Sequence, residues 1–377
     1  RFRNVTGVQT CALPISSLIR DEIRAHDNWI SFARFMELAL YAKGLGYYAG
    51  GAVKFGKNGD FTTAPEMTPL FGATLAMFAA SLSLPSPLRV LEFGAGSGKL
   101  AEDFLEAASG LGLMVAEYAL VELSAELRER QRQRLANRPE VIWMEAPPPA
   151  FSGLILCNEV LDAMPVHLIA RRASDWMERG VALNGEQLVF SDRAANADLL
   201  AQLPDKESFP EPFVTEVHPQ QAGFVRTLGD MLSAGEGGIA VLIDYGFPAS
   251  EYYLPQRSGG TLMCHYRHHA HDDPLRWIGL QDITAHVDFT QMARAALEAG
   301  LDVAAYMSQA SFLLGAGLPA LLEQGSAERS ADWLPVASSI QKLTSPAEMG
   351  ELFKVLIVSK QIELPEQLAR LDQSYRL

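Results

Sequence analysis

From Ser17 to Tyr41 the apolar residues Ile19, Ile23, Ile30, Phe35, Leu38 and Tyr41 recur largely at helical spacing, which predicts amphipathic helices. A glycine-rich loop, "KGLGYYAGGAVKFGKNGDFTTAPE", comes next. A loop of that length in a compact chain is ordinarily functional or mobile. The longest uncharged run, Met67 to Leu88, is broken by Pro69, Pro85 and Pro87, so Leu70 to Leu84 is expected to be a buried helix rather than a membrane span. Beyond Pro87 short apolar runs alternate with helical stretches. Strands are predicted at Arg89–Phe93, Tyr118–Glu122, Val141–Met144, Gly153–Cys157 and Ile239–Asp244, with helices at Lys99–Ala108 and Ala125–Leu135. This alternation predicts an α/β, doubly wound, mostly parallel sheet. Asp302–Ser308 and Leu352–Ser359 are expected as edge strands. Between Arg171 and Arg226 the alternation lapses, and "WMERGVALNGEQLVF" predicts a hairpin turning at Asn184-Gly185, within an inserted substructure.

With 377 residues, 48% of them hydrophobic and 20% charged, the chain can bury a large core. Its net charge of −14 argues against a nucleic-acid substrate, since phosphate binding needs clustered Lys and Arg. A protein or a small molecule fits better. Cys11, Cys157 and Cys264 are scattered, which argues for a reducing compartment and against a disulfide framework or a zinc site. Residues 1–16 carry no acid and share no periodicity with the helical pattern that starts at Ser17; they are expected to be a leader outside the fold, either non-native or a basic transit peptide. The remainder divides into a helical segment, 17–88, and a main domain, 89–377. Bacterial cytoplasm is the expected location, with the mitochondrial matrix as the alternative; the oligomeric state is open.

The stretch "VLEFGAGSGKL" places Glu92 at the end of a strand and Gly94, Gly96 and Gly98 in the turn after it. Glycines in the first strand-to-helix turn of a doubly wound fold let a ligand approach the backbone. A dinucleotide fingerprint wants its third glycine one residue later, where Lys99 stands. The spacing here, after an acidic strand end, is that of S-adenosyl-L-methionine (SAM) methyltransferases. Glu92 would hold the loop or receive the ammonium of the methionine moiety. Glu122, ending the next strand in "YALVELS", is placed to accept the ribose hydroxyls, a geometry that serves NAD and SAM alike. Glu145, in "VIWMEAP", is a candidate for the adenine amino group or else a solvated acid.

"LILCNEVLDAMPV" brings Asn158, Glu159 and Asp162 to the rim after the fourth strand, where a methyl group would be delivered. Methyl transfer is an in-line displacement, so the chain has mainly to hold a nucleophile close and aligned. Were that nucleophile a guanidinium, Glu159 and Asp162 would grip its fork; Asp162 as a helix cap is the alternative. "IDYGFP" places Asp244 and Tyr245 at the same rim; in "QDITAHVDF" Asp282, Thr284, His286 and Asp288 are candidates to line the pocket, or else belong to a half-exposed strand. The histidines of "CHYRHHAHDDP" match no closed metal-ligand spacing, so no metal is expected.

In order, "GDFTTAPEMTPLFG", "LEFGAGSGKLAEDFL", "YALVELS", "NEVLDAMPV", "DYGFP", "GGTLMCHYRHHAHDDP", "QDITAHVDFT" and "ELFKVLIVSK" resemble the MidA family of SAM-dependent methyltransferases, over about residues 17 to 365. The family includes the mitochondrial arginine methyltransferase that assists assembly of respiratory complex I. The resemblance implies a class I, Rossmann-like methyltransferase core with an N-terminal helical segment and an insertion. It implies SAM as cofactor at Gly94, Gly96, Gly98 and Glu122, with the "TAPE" loop, including Thr63, Pro65 and Glu66, closing over it. It suggests a protein partner, methylated on arginine, such as a complex I subunit. This chain departs from the family at "AGGAVKFGKNG", which is glycine-rich here. Two alternatives remain open from the residues: a SAM-binding assembly factor with little turnover, and an NAD-linked oxidoreductase.

Overall fold

The computed structural model describes residues 6–50, 63–173, 175–267, 269–326 and 333–377. Most of residues 49–59, and His268, lie outside them.

Along the chain the strands are β1 (Trp29–Ser31), β2 (Leu88–Phe93), β3 (Val115–Val121), β4 (Val141–Met144), β5 (Gly153–Asn158), β6 (His167–Arg172), β7 (Asp175–Asn184) and β8 (Gln187–Ala194). They continue as β9 (Phe213–Val217), β10 (Gly238–Phe247), β11 (Met263–Tyr266), β12 (His269–His271), β13 (Asp282–Thr284), β14 (Val287–Asp288), β15 (Asp302–Ser308) and β16 (Phe353–Lys360). The main sheet has the order β15-β16-β10-β5-β2-β3-β4, with β14 beside β10. From β4 to β10 its neighbours run parallel, as the alternation predicts.

Successive residues of a strand face opposite sides, and these strands are apolar on both. In chain order the helices that matter are α1 (Thr6–Ala25), α2 (Phe32–Tyr41), α3 (Ala64–Met67), α4 (Pro69–Ala80), α5 (Lys99–Leu111) and α6 (Ala125–Arg134). Val90, Leu154, Leu156, Val241 and Ile243 pack with Phe71, Leu75 and Phe104 of α4 and α5 on one face. Leu91, Ile155, Cys157 and Leu242 pack with Val225, Leu228 and Met292 on the other. A continuous hydrophobic run is the signature of a strand covered on both faces. That rule also relocates β16. Val355, Leu356, Ile357 and Val358 are all 0% exposed, and the strand lies between β10 and β15, antiparallel to both, leaving β15 as the edge.

α1 starts within residues 1–16, the stretch expected to lie outside the fold, and Ile15 is fully buried with Ile19 and Ile23. The N-terminal segment also contributes a strand. β1 pairs with β7, Ile30 opposite Val181, so the segment and the insertion share one five-stranded sheet, β1-β7-β6-β9 with β8 on β7. The β7–β8 hairpin closes at Asn184 opposite Gln187, which makes Gly185 (φ +61°) and Glu186 the turn, one residue beyond the expected pair. A third sheet, β12-β11-β13, joins residues of the histidine-rich segment to Asp282–Thr284.

Candidate active site

β2 ends at Phe93, and the chain turns through Gly94 (φ +63°), Gly96 (φ +53°) and Gly98 (φ +80°) into α5. A residue with a side chain costs about 1–2 kcal/mol in this left-handed region; a Cβ would also press on Val160 at Gly94 (3.2 Å) and on Gln131 at Gly98 (3.3 Å). Lys99 pairs with Asp103 one turn along its own helix. Glu92 is 3% exposed and accepts a hydrogen bond from the Tyr118 hydroxyl at 2.7 Å. Burial pushes its carboxyl up to about 8.

Glu122 stands one residue past β3. Its carboxylate accepts from Ser124 N–H (2.8 Å) and from Gln131 Nε2 (3.1 Å). Burial raises its pKa and these two donors oppose the rise. Gln131, on α6 and fully buried, also donates to the Gly96 carbonyl (2.9 Å) and accepts from Trp143 Nε1 (3.1 Å). One amide therefore ties the glycine turn, the acid and β4 together. The Glu66 carboxylate accepts from the Ser97 hydroxyl, so α3 is fastened onto the same turn.

At the end of β5, Asn158 donates to Glu159 Oε1 (3.1 Å), and the Ala64 N–H of α3 also reaches the Glu159 carboxylate. Glu159 sits at φ +53° without being glycine, a conformation that costs of order 1–3 kcal/mol and persists where the surroundings enforce it. Asp162 Oδ2 accepts from the Tyr245 hydroxyl at 2.6 Å, while Oδ1 is buried without a hydrogen-bond partner. Burial lifts Glu159 to about 8 and Asp162 to about 6. Asp244, 1% exposed, accepts from the backbone N–H groups of Leu161 (3.0 Å), Asp162 (3.2 Å) and Tyr245 (2.9 Å). It is held well above the carboxylate range by burial and by the neighbouring charges of Asp162 and Glu159. The His286 ring lies parallel to Phe247 (5.3 Å, 9°) and edge-on to Tyr245 (5.0 Å). Burial lowers its pKa to about 4, so it is neutral near pH 7.

These groups surround one cavity of about 1030 Å³. Glu92, Gly94, Gly96, Glu122, Thr63, Pro65 and Glu66 line one part of it. Asn158, Glu159, Asp162 and His286 line another, with Asp282, Thr284 and His265. Gly98 and Asp244 stand outside the lining, Asp244 as the support of the turn that carries Asp162. Glu145 is also outside; its side chain is exposed, 3.8 Å from Arg128, and Pro147 reaches the wall instead. Asp288 caps the helix Phe289–Glu298 through Gln291 N–H (3.2 Å). Among the described residues, no three or more His, Cys, Asp or Glu are grouped to hold a metal ion.

Pattern reading placed Tyr245 at the rim beside Asp244, and it lines the cavity; it missed Gln131, Tyr118, Tyr48 and Tyr41. Gln131 lies in "AELRERQRQR", polar but for Ala125 and Leu127, where nothing distinguishes it from the charged residues around it, and the tyrosines look like ordinary core aromatics.

Residues 70–307 match the model of a family described as S-adenosyl-L-methionine-dependent methyltransferases. The chain is 45% identical to a Burkholderia thailandensis protein whose crystal structure holds S-adenosyl-homocysteine, over 100% of both chains, with a TM-score of 0.92. It is 27% identical to the mitochondrial protein arginine methyltransferase NDUFAF7 of Xenopus tropicalis, over 89% of this chain and 83% of that one. With the Drosophila melanogaster homologue the identity is 29%, over 87% and 80%.

Proposed function

The chain belongs to this family of S-adenosyl-L-methionine-dependent methyltransferases, and from that premise we propose that it methylates the guanidinium of an arginine side chain in a protein. The cofactor is SAM, and the nicotinamide alternative is set aside by the family match. The residues present fit the group, because three left-handed glycines keep the turn bare and a buried acid stands just past the next strand. Gly94 and Gly96 would admit it to the backbone, with Gly98 turning the chain into α5 behind them, Glu122 would accept its ribose hydroxyls and Glu92 would meet its positive end. Bound there, it supplies a methyl on a sulfonium, with a neutral thioether as leaving group.

One observation carries the choice of acceptor: Glu159, Asp162 and Asp282 converge on the cavity beyond the glycine turn. Among the described lining residues the basic groups are Lys99, which is paired with Asp103, and His265 and His286. Buried carboxylates without cations are costly, and a cationic acceptor relieves that cost. Glu159 and Asp162 can each accept two parallel N–H bonds from a guanidinium, which fixes the attacking nitrogen in line. Asp244 keeps Asp162 in place through the backbone. Burial holds the Glu159 carboxyl at about 8; a bound guanidinium would favour its carboxylate, which can then take the proton that the nitrogen releases. The mitochondrial relatives named as protein arginine methyltransferases support this reading, and a complex I subunit is the acceptor that the family resemblance suggests. We place it in a bacterial cytoplasm, as the 45% identity to a Burkholderia thailandensis protein suggests, with the mitochondrial matrix, which fits the mitochondrial relatives, as the alternative. No helix among the described residues is long and apolar enough to cross a membrane.

The test is to incubate the purified protein with radiolabelled SAM and a host respiratory complex I fraction, then hydrolyse the labelled chains. Methylarginine is expected. Measured SAM binding with label only on other residues would overturn the reading.

A further inference from the structure

Tyr48, in the turn after α2, and Asp282, at the start of β13, are 234 positions apart, yet the Tyr48 hydroxyl donates to Asp282 Oδ1 at 3.0 Å. The same oxygen accepts from Ile283 N–H at 3.0 Å. Asp282 is only 3% exposed, and it lines the cavity together with Tyr48, Tyr41, Glu159 and Asp162. The Tyr41 and Tyr48 rings stack on one another, with centroids 5.5 Å apart and planes 19° apart. Tyr41 is anchored in turn by donating to the Ala163 carbonyl at 2.9 Å, next to Asp162. Burial raises the pKa of both Glu159 and the Tyr41 hydroxyl, and the charges of Asp162 and Asp282 add to the rise in each. Three carboxylates from two separate segments thus share one cavity, beside a flat aromatic surface supplied by the N-terminal segment.

We propose that Asp282, aimed by Tyr48, is the third carboxylate of the acceptor site, and that the stacked Tyr41–Tyr48 pair is its wall, so that the site selects a planar guanidinium over a compact ammonium. The proposal rests on the arginine reading and names the residues that would enforce it. A guanidinium carries five N–H donors in one plane, more than one carboxylate can satisfy, and it lies flat against aromatic rings. An ammonium has three donors, is strongly hydrated and has no face to stack. Asp282 would touch the acceptor. Tyr48 is a positioning residue as well as part of the wall.

A plainer role is possible for the same contacts, that of fastening the N-terminal segment to β13, and the experiment separates the two. Binding of methylguanidinium chloride and methylammonium chloride to the S-adenosyl-homocysteine complex is measured by NMR titration. Wild type, Tyr48→Phe and Asp282→Asn are compared, with S-adenosyl-homocysteine affinity and melting temperature determined for each. The wild type should prefer methylguanidinium. Asp282→Asn should weaken methylguanidinium about tenfold or more, as expected for a lost hydrogen bond to a charged group. Its S-adenosyl-homocysteine affinity should stay within about twofold. Tyr48→Phe, which keeps the ring, should lose part of the same preference. An equal affinity of the wild type for both cations, or variants that change only melting temperature, would overturn the proposal. A retained methylguanidinium preference in an enzyme that labels no arginine would instead count against the arginine reaction alone.

Discussion

Replacing Gln131 by methionine keeps the volume and removes the amide that joins the glycine turn to Glu122. Three hydrogen bonds go: one to the Gly96 carbonyl, one to Glu122 Oε2 and one from Trp143 Nε1. The two neutral bonds are worth about 1 kcal/mol each and the one to a carboxylate about 1.5–3 kcal/mol, so the gross loss is about 3–5 kcal/mol. Added apolar burial returns about 1 kcal/mol, leaving a net destabilisation of about 2–4 kcal/mol. A domain with about 5–15 kcal/mol of stability survives that and remains measurable. Glu122 keeps its bond from Ser124 N–H but loses the second fixed donor, so its carboxylate can swing away from the ribose. Affinity for S-adenosyl-homocysteine should fall about tenfold, equivalent to about 1.4 kcal/mol. Urea denaturation gives the first quantity and calorimetric titration of the folded variant gives the second. An unchanged affinity in a variant that is measurably less stable would refute the claim that Gln131 positions the acid.

Asp244→Asn turns an N–H toward one of three backbone N–H donors, a mismatch of about 1–3 kcal/mol; turnover should fall at least about tenfold while SAM affinity holds within about twofold, checked by kinetics beside calorimetry. Glu92, raised from 4.5 to about 8 by burial, is favoured by the fold in its neutral form. Its contribution to apo stability is therefore intact below pH 4.5 and lost as pH rises through about 8. A cationic cofactor favours the carboxylate, so SAM affinity should climb as pH rises toward about 8 and level off above it. Titrations in buffers of different ionisation heat should show proton release at pH 7, and Glu92→Gln should abolish it. Gly260→Ala would place a methyl against the Glu216 carboxylate at a left-handed position (φ +80°), disturbing its bonds from Thr261 N–H (2.8 Å) and Leu262 N–H (2.9 Å). The expected cost is about 2–4 kcal/mol, read from the denaturation midpoint.

What lay in the chain's order was whatever depends on neighbours in sequence. The apolar runs at 90, 120, 155 and 241 are legible as strands because covered strands are hydrophobic on both faces. The turn at Gly94, Gly96 and Gly98 and the acid at Glu122 are legible because left-handed backbone and strand ends have local residue requirements. That was enough to read the fold class and the cofactor. Contacts across layers were not legible in the same way. Glu145, which pattern left as either an adenine contact or a solvated acid, faces solvent, while Tyr48 and Asp282 meet across 234 positions. β1 joins a sheet made by an insertion about 150 residues later, through the pairing of Ile30 with Val181. Periodicity tells which way a side chain points from its own element; which other side chain it meets is set by the packing of whole sheets and helices. The acids of the acceptor end, Glu159, Asp162 and Asp282, were already on offer in the sequence; that Tyr41 and Tyr48 of the N-terminal segment stand against them became visible only in three dimensions.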